Sequence, residues 1–114
     1  MATRAFTTDR SQTNMAYMQW SGLLNGDDGA PAVMNGMELV SWQVFGTVGA
    51  GGSAQVEASN EATPTTWGLI GAAATTAAMV FPADDIVARN IRPRVTAGDG
   101  TTSLTVIACF RRLL

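Results

Sequence analysis

The C-terminal residues Thr101 to Phe110 constrain the fold most, because they alternate with period two. Leu104, Val106, Ala108 and Phe110 fall on one face of an extended strand. Ile107 and Cys109 make the opposite face apolar as well, so this strand is covered on both sides, inside a sandwich or by a second subunit. Ala97-Gly98-Asp99-Gly100 is a strong turn signal that separates it from a second strand candidate over 86–96. Within that candidate Pro93 has no N–H for a ladder, which predicts an edge strand or a bulge.

The same grammar runs upstream. Val40, Trp42, Val44 and Val48 share one face, with Leu39, Ser41, Gln43, Phe45 and Thr47 on the other. Ala54, Val56 and Ala58 then alternate with Gln55, Glu57 and Ser59, and the intervening Gly49-Ala50-Gly51-Gly52 predicts a β-hairpin. Trp67 to Ile70 reads as a short strand, and the Ala- and Thr-rich residues 71–78 as a loop feeding a strand at Met79-Val80-Phe81. Short strands with turns between them predict an all-β, antiparallel β-sandwich, jelly-roll-like, over residues 38–114. Residues 1–37 read as an extended N-terminal arm and loop, polar at first and then Met15-Ala16-Tyr17-Met18-Gln19-Trp20. Five of the six methionines lie there, and methionine adapts to irregular surfaces. The arm either covers the domain's own core or reaches a neighbouring subunit.

Composition removes whole classes of chemistry. The 114 residues contain no lysine and no histidine, and all seven basic side chains are arginine. Catalysis or metal ligation through imidazole is therefore excluded. A single cysteine, Cys109, excludes an intrachain disulfide and any multi-cysteine metal site. A net charge of −2 and a pI near 4.8 argue against direct nucleic-acid binding. The least polar stretch, Trp67 to Pro82, is too short and too rich in Ala, Gly and Thr for a membrane helix, and the N-terminus lacks the apolar run of a signal peptide. The expectation is a soluble, cytosolically made protein with no membrane partner.

Candidate sites are few. Gly49 to Ser53 superficially matches a phosphate-cradling loop, but an alternating strand follows it instead of a helix. Asp27-Asp28, Asp84-Asp85 and Asp99 read as turn and solubility residues, since neighbouring aspartates on a strand point to opposite faces and no calcium-loop spacing is present. No catalytic residue, metal site or cofactor is expected. Trp42 belongs in the core, and Trp67 at the end of it; exposed, Trp67 could stack on a sugar with Asn60, Gln55 and Thr66 around it. Tyr17, Met18 and Trp20 are the first candidates for an interface with a partner or a second subunit, tryptophan being enriched at binding hot spots. Arg92 and Arg94 share a strand face and, with Arg111 and Arg112, are the second, because guanidinium pairs bidentately with carboxylate. Cys109 reads as a small buried apolar residue.

Phe45-Gly46-Thr47-Val48-Gly49-Ala50-Gly51-Gly52-Ser53, then Val56-Glu57-Ala58-Ser59-Asn60 and Trp67, and later Ile91-Arg92-Pro93-Arg94-Val95-Thr96-Ala97-Gly98-Asp99-Gly100, form a succession. Over residues 38–107 that succession resembles the capsid cement, or decoration, proteins of tailed bacteriophages, most specifically at Arg92 to Gly100. The resemblance implies a virion structural protein on the capsid exterior, assembled in the bacterial cytoplasm. It implies self-association as a dimer, or a trimer, and bridging of major capsid proteins without enzymatic activity. The alternative is a carbohydrate-binding or adhesin-like module displayed on the virion.

Overall fold

Period-two burial organises the structure, a computed structural model that describes residues 1–76 and 79–113 and, for 79–85, the strand they form but not their side chains. The strands are β1 (Thr3–Arg4), β2 (Phe6–Asp9), β3 (Met15–Leu23), β4 (Asp28–Gly29), β5 (Ala32–Val33), β6 (Met37–Thr47), β7 (Ser53–Ser59), β8 (Gly68–Ala74), β9 (Met79–Ile86), β10 (Asn90–Ala97) and β11 (Ser103–Arg112). One sheet of five strands runs β2-β3-β11-β6-β9; the other, of six, runs β1-β4-β10-β7-β8 with β5 also paired to β10. Pairing is antiparallel throughout except β1 on β4. The two sheets pack face to face as an all-β sandwich.

The core is made by alternate residues of facing strands. Trp20, Leu23, Leu39, Val44, Leu104, Val106 and Phe110 enter from the five-stranded sheet, and Val56, Ile91 and Val95 from the other; none is more than 1% exposed. Each such side chain contributes on the order of 1.5–3 kcal/mol through burial. Trp42 is buried among them, as its place in the alternation predicts. Leu39 joins the same face because β6 carries a bulge: Phe110 pairs with Leu39 but Cys109 with Ser41, leaving Val40 as the extra residue. A bulge shifts the alternation by one, which corrects the assignment of Leu39 to the outer face.

The glycine-rich turns do not close hairpins. β6 lies in one sheet and β7 in the other, as do β11 and β10, so Val48–Gly52 and Gly98–Thr102 both arch across the sandwich at the same end. They are stitched to each other. The Asp99 carboxylate accepts from the Ala50 N–H at 2.9 Å, and the Thr102 hydroxyl donates to the Val48 carbonyl at 2.8 Å. Hydrogen bonds from the Thr101 hydroxyl, the Ala50 N–H and the Thr101 N–H hold the Asp99 carboxyl at a pKa of about 2. Gly49 takes φ 81°, and a Cβ there would collide with Thr102 Oγ1 and Asp99 Oδ1.

Four further expectations are revised. Of the two alternatives for residues 1–37, they cover the domain's own core, but as part of the sandwich and not as an arm apart from it: β3 is an interior strand between β2 and β11, and β1, β4 and β5 complete the other sheet. Asp27 fastens that segment. Its buried carboxylate accepts from the Ala2 N–H at 2.8 Å and from Arg4 Nε and the Leu24 N–H at 2.9 Å each. Burial alone would raise its pKa, but these donors outweigh it and hold the carboxyl below its ordinary value. Pro93 sits inside the sheet rather than at an edge or bulge. The neighbouring strand is instead split between β4 and β5, so the missing N–H of Pro93 faces a break in the ladder. Residues 71–74 continue β8, so the loop expected over 71–78 does not begin there; 77 and 78 lie outside the described residues. Asp84 and Asp85 fall within β9 instead of a loop, with side chains also outside the described residues.

Candidate functional site

The two outer faces of the sandwich differ in chemistry. On the six-stranded sheet, register sets Arg92 opposite Glu57 and Arg94 opposite Gln55. Arg92 Nε donates to Glu57 at 3.0 Å and Nη1 to Asp28 at 3.1 Å, while Gln55 donates to the second Glu57 oxygen at 2.6 Å. Thr3 donates its hydroxyl to Asp28 at 2.7 Å. The Arg92 guanidinium lies over the Trp67 ring, 4.2 Å from its centroid. Arg94 is a looser member, 3.8 Å from Glu57 and 43% exposed. Charge on this face is satisfied within the chain. Asn60 Oδ1 accepts from the Arg89 N–H at 3.1 Å, so of the expected sugar-stacking pair one face of the Trp67 ring and the Asn60 oxygen are engaged within the chain.

The five-stranded sheet presents a different surface. Register lines up Thr7, Gln19, Ile107 and Gln43 in one row across β2, β3, β11 and β6. Asp9, Tyr17, Cys109 and Ser41 form the next, and Thr105 pairs with Phe45 beside them. Over the three interior strands these rows hold amides, hydroxyls, a thiol and apolar groups but no charge. Among the described side chains of these strands, charge lies at the rim, in Asp9 on β2 and in the pair of Arg111 and Glu38, where Arg111 Nε donates to Glu38 at 2.7 Å. Phe45 is 37% exposed, and Tyr17, Ile107 and Cys109 are half-buried. A cavity of about 430 Å³ opens on this face, with Tyr17, Gln19, Ile107, Thr7 and Asp9 among its lining. Partial burial and the nearby Cys109 and Asp9 raise the pKa of the Tyr17 hydroxyl, which donates to Gln12 at 2.8 Å.

A second cavity, of about 250 Å³, lies at the end of this sheet where the β2–β3 turn, the start of β6 and the end of β11 meet. Arg10 and Arg112 line it with Met15 and Met37.

The sequence-predicted interface residues are thus dispersed. Met18 and Trp20 are 4% and 0% exposed and belong to the core, which removes them as surface anchors. Trp20 Nε1 donates to the Ala30 carbonyl at 3.0 Å, and its ring packs at 55° to Phe6 with centroids 5.4 Å apart. Alternation along β3 explains the division, since Ala16, Met18 and Trp20 point inward while Tyr17 and Gln19 point outward. Tyr17 and Arg112 line the two cavities, Arg111 is at the rim, and Arg92 and Arg94 occupy the opposite face. Cys109 is half-buried on the outer face and not in the core. Sequence reasoning missed Gln19, although its parity with Tyr17 carried the signal, whereas Ile107 was already legible with Cys109 as an apolar second face of its strand. Arg10 had none, because only the fold brings it to Arg112. Among the described residues no cluster of three or more metal-ligating side chains occurs, and no helix is long and apolar enough to cross a membrane. Comparison with family models, with curated proteins and with solved structures found no match.

Proposed function

We propose that this chain is a virion structural protein of the capsid-cement type, which binds the outside of an icosahedral phage shell and bridges major capsid proteins. The observation that carries this reading is the pair of uncharged central rows on the outer surface of β3, β11 and β6, with charge only towards their ends, on a chain whose other face is charged and internally neutralised. Depletion of charge around aromatic and apolar groups marks the centre of protein–protein interfaces. Topology supports it more loosely. Counting β3 as the first strand, β4 with β5 as a broken second, and β6 to β11 as third to eighth, the sheets run 1-8-3-6 and 2-7-4-5. That is a jelly-roll order, an architecture recurrent in viral capsid and lectin domains, and by itself it fixes no function. Self-association as a dimer or trimer fits the same face, and repeated placement on a symmetric lattice lets weak contacts sum.

The test is direct. Shells of the phage that encodes the chain are stripped of it, then supplied with wild-type protein or with Ile107→Arg, which places a charge at the centre of the uncharged face. Binding of wild type with restored thermal stability, and loss of both in the variant, supports the reading; equal behaviour of the two overturns the assignment to this face. A second reading, carbohydrate binding, is favoured by the Tyr17 cavity with its amides and hydroxyls. It requires glycan binding that Tyr17→Ala abolishes.

A further inference from the structure

Six of the seven arginines divide into two groups; the seventh, Arg89, lies apart, just before β10. Arg4, Arg92, Arg94 and Arg111 each pair with a carboxylate of this chain at 3.8 Å or less. Arg10 and Arg112 have no such partner among the described residues, yet they line the same cavity of about 250 Å³. Among the described residues no carboxylate lines that cavity with them. Two guanidiniums sharing a small space repel each other until an anion enters between them. The scaffold around them is held. The Arg112 N–H donates to the Asn14 carbonyl at 2.9 Å, and Asn14 sits in the left-handed region at φ 64° in the β2–β3 turn. The Arg10 Nη1 rests 3.9 Å from Met37 Sδ, and Met37 is only 5% exposed.

We propose that this cavity is a carboxylate-recognition site that receives an acidic segment of a partner protein. The two arginines provide paired N–H donors with the planar geometry a carboxylate accepts. Gln12 and Thr13 add neutral polar groups at the wall, and Met15 and Met37 supply an apolar, deformable floor for the methylenes beside the carboxylate. That floor favours a peptide Glu or Asp with an apolar neighbour over a free inorganic anion, which has nothing to place there. The site goes beyond the docking of the uncharged face by naming the chemistry of one partner segment. It rests on that reading only in taking the partner to be a protein.

The experiment titrates the full chain with a capped hexapeptide of Glu, Asp and Leu, followed by amide NMR shifts, beside the Gln/Asn version of the peptide and inorganic phosphate. The acidic peptide is expected to shift residues 10–15, 37 and 112 and to bind more weakly as salt rises. Arg10→Gln and Arg112→Gln should each weaken it roughly tenfold or more while leaving the dispersed spectrum of the folded chain intact. Equal binding of the neutral peptide, shifts elsewhere only, or binding of phosphate without binding of the peptide overturns the site. Peptide binding by a protein that fails to stabilise shells would overturn the capsid function and leave this site supported.

Discussion

Replacing Arg92 by alanine tests how the charged face is held together. The substitution removes hydrogen bonds of 3.0 Å to Glu57 and 3.1 Å to Asp28, and the guanidinium 4.2 Å above the Trp67 ring. The Glu57 side chain is only 4% exposed, so it is left as a desolvated carboxylate that has lost its near cation. Abandoning a fully buried charge costs about 3–5 kcal/mol. Here Gln55 at 2.6 Å and Arg94 at 3.8 Å still hold Glu57, and Asp28 keeps the Thr3 hydroxyl. Lost stacking adds about 1 kcal/mol. The expected net loss is about 2–4 kcal/mol, or roughly 10 °C in Tm for a domain of this size. Arg94→Ala, at a longer and half-exposed contact, should cost about 0.5 kcal/mol. Urea unfolding at constant slope measures both, and a double-mutant cycle of Arg92→Ala with Glu57→Gln should give a coupling of about 1–3 kcal/mol. An Arg92→Ala cost within about 0.5 kcal/mol of zero, or one matched by Arg94→Ala, would refute the reasoning.

Other expectations follow from the same geometry. Trp20→Ala should destabilise by about 3–5 kcal/mol, whereas Tyr17→Ala, three residues away on the outer face, should cost about 1 kcal/mol or less; chemical denaturation separates them. At Gly29 a Cβ would sit 2.5 Å from both Pro93 Cδ and Trp20 Cδ1, so Gly29→Ala should cost about 1–3 kcal/mol by overpacking, again read from the unfolding midpoint. The pH dependence is set by depressed carboxyls. Asp99 has an ordinary value of 3.8 and about 2 in the folded chain. The unfolded chain therefore binds more protons in that window, and stability present above it is lost as pH falls through it. Asp9, Asp27 and Glu61 shift in the same direction, so thermal melts should fall steeply below pH 4 and Asp99→Asn should flatten that slope.

The fold class was legible because alternation is a local property and survives without knowledge of partners. Trp42 and the inward face of β11 could be placed from parity alone. Parity also ran through Ala16, Met18 and Trp20, but the polar and glycine-rich sequence on either side disguised an interior strand as an arm. What could not be read was set by distant partners. The arch at Gly49–Gly52 looks locally like a hairpin turn; its crossing between sheets is stitched by Asp99 and Thr102, some fifty residues on. Pro93 reads as an edge residue until β4 and β5 are known to break opposite it. The bulge at Val40 is invisible because a β-branched apolar residue suits either face. For the same reason the cavity of Arg10 and Arg112 joins two chain ends that no sequence window contains.

The central claim is that the uncharged face of β3, β11 and β6 docks on a phage shell. The most direct measurement is the melting temperature of stripped shells after addition of wild-type chain and of Ile107→Arg, with the variant's own folding checked by near-UV circular dichroism. The account predicts that wild type raises the shell's melting temperature and that the folded variant does not. Shells unchanged by wild type, or raised equally by both, would contradict it.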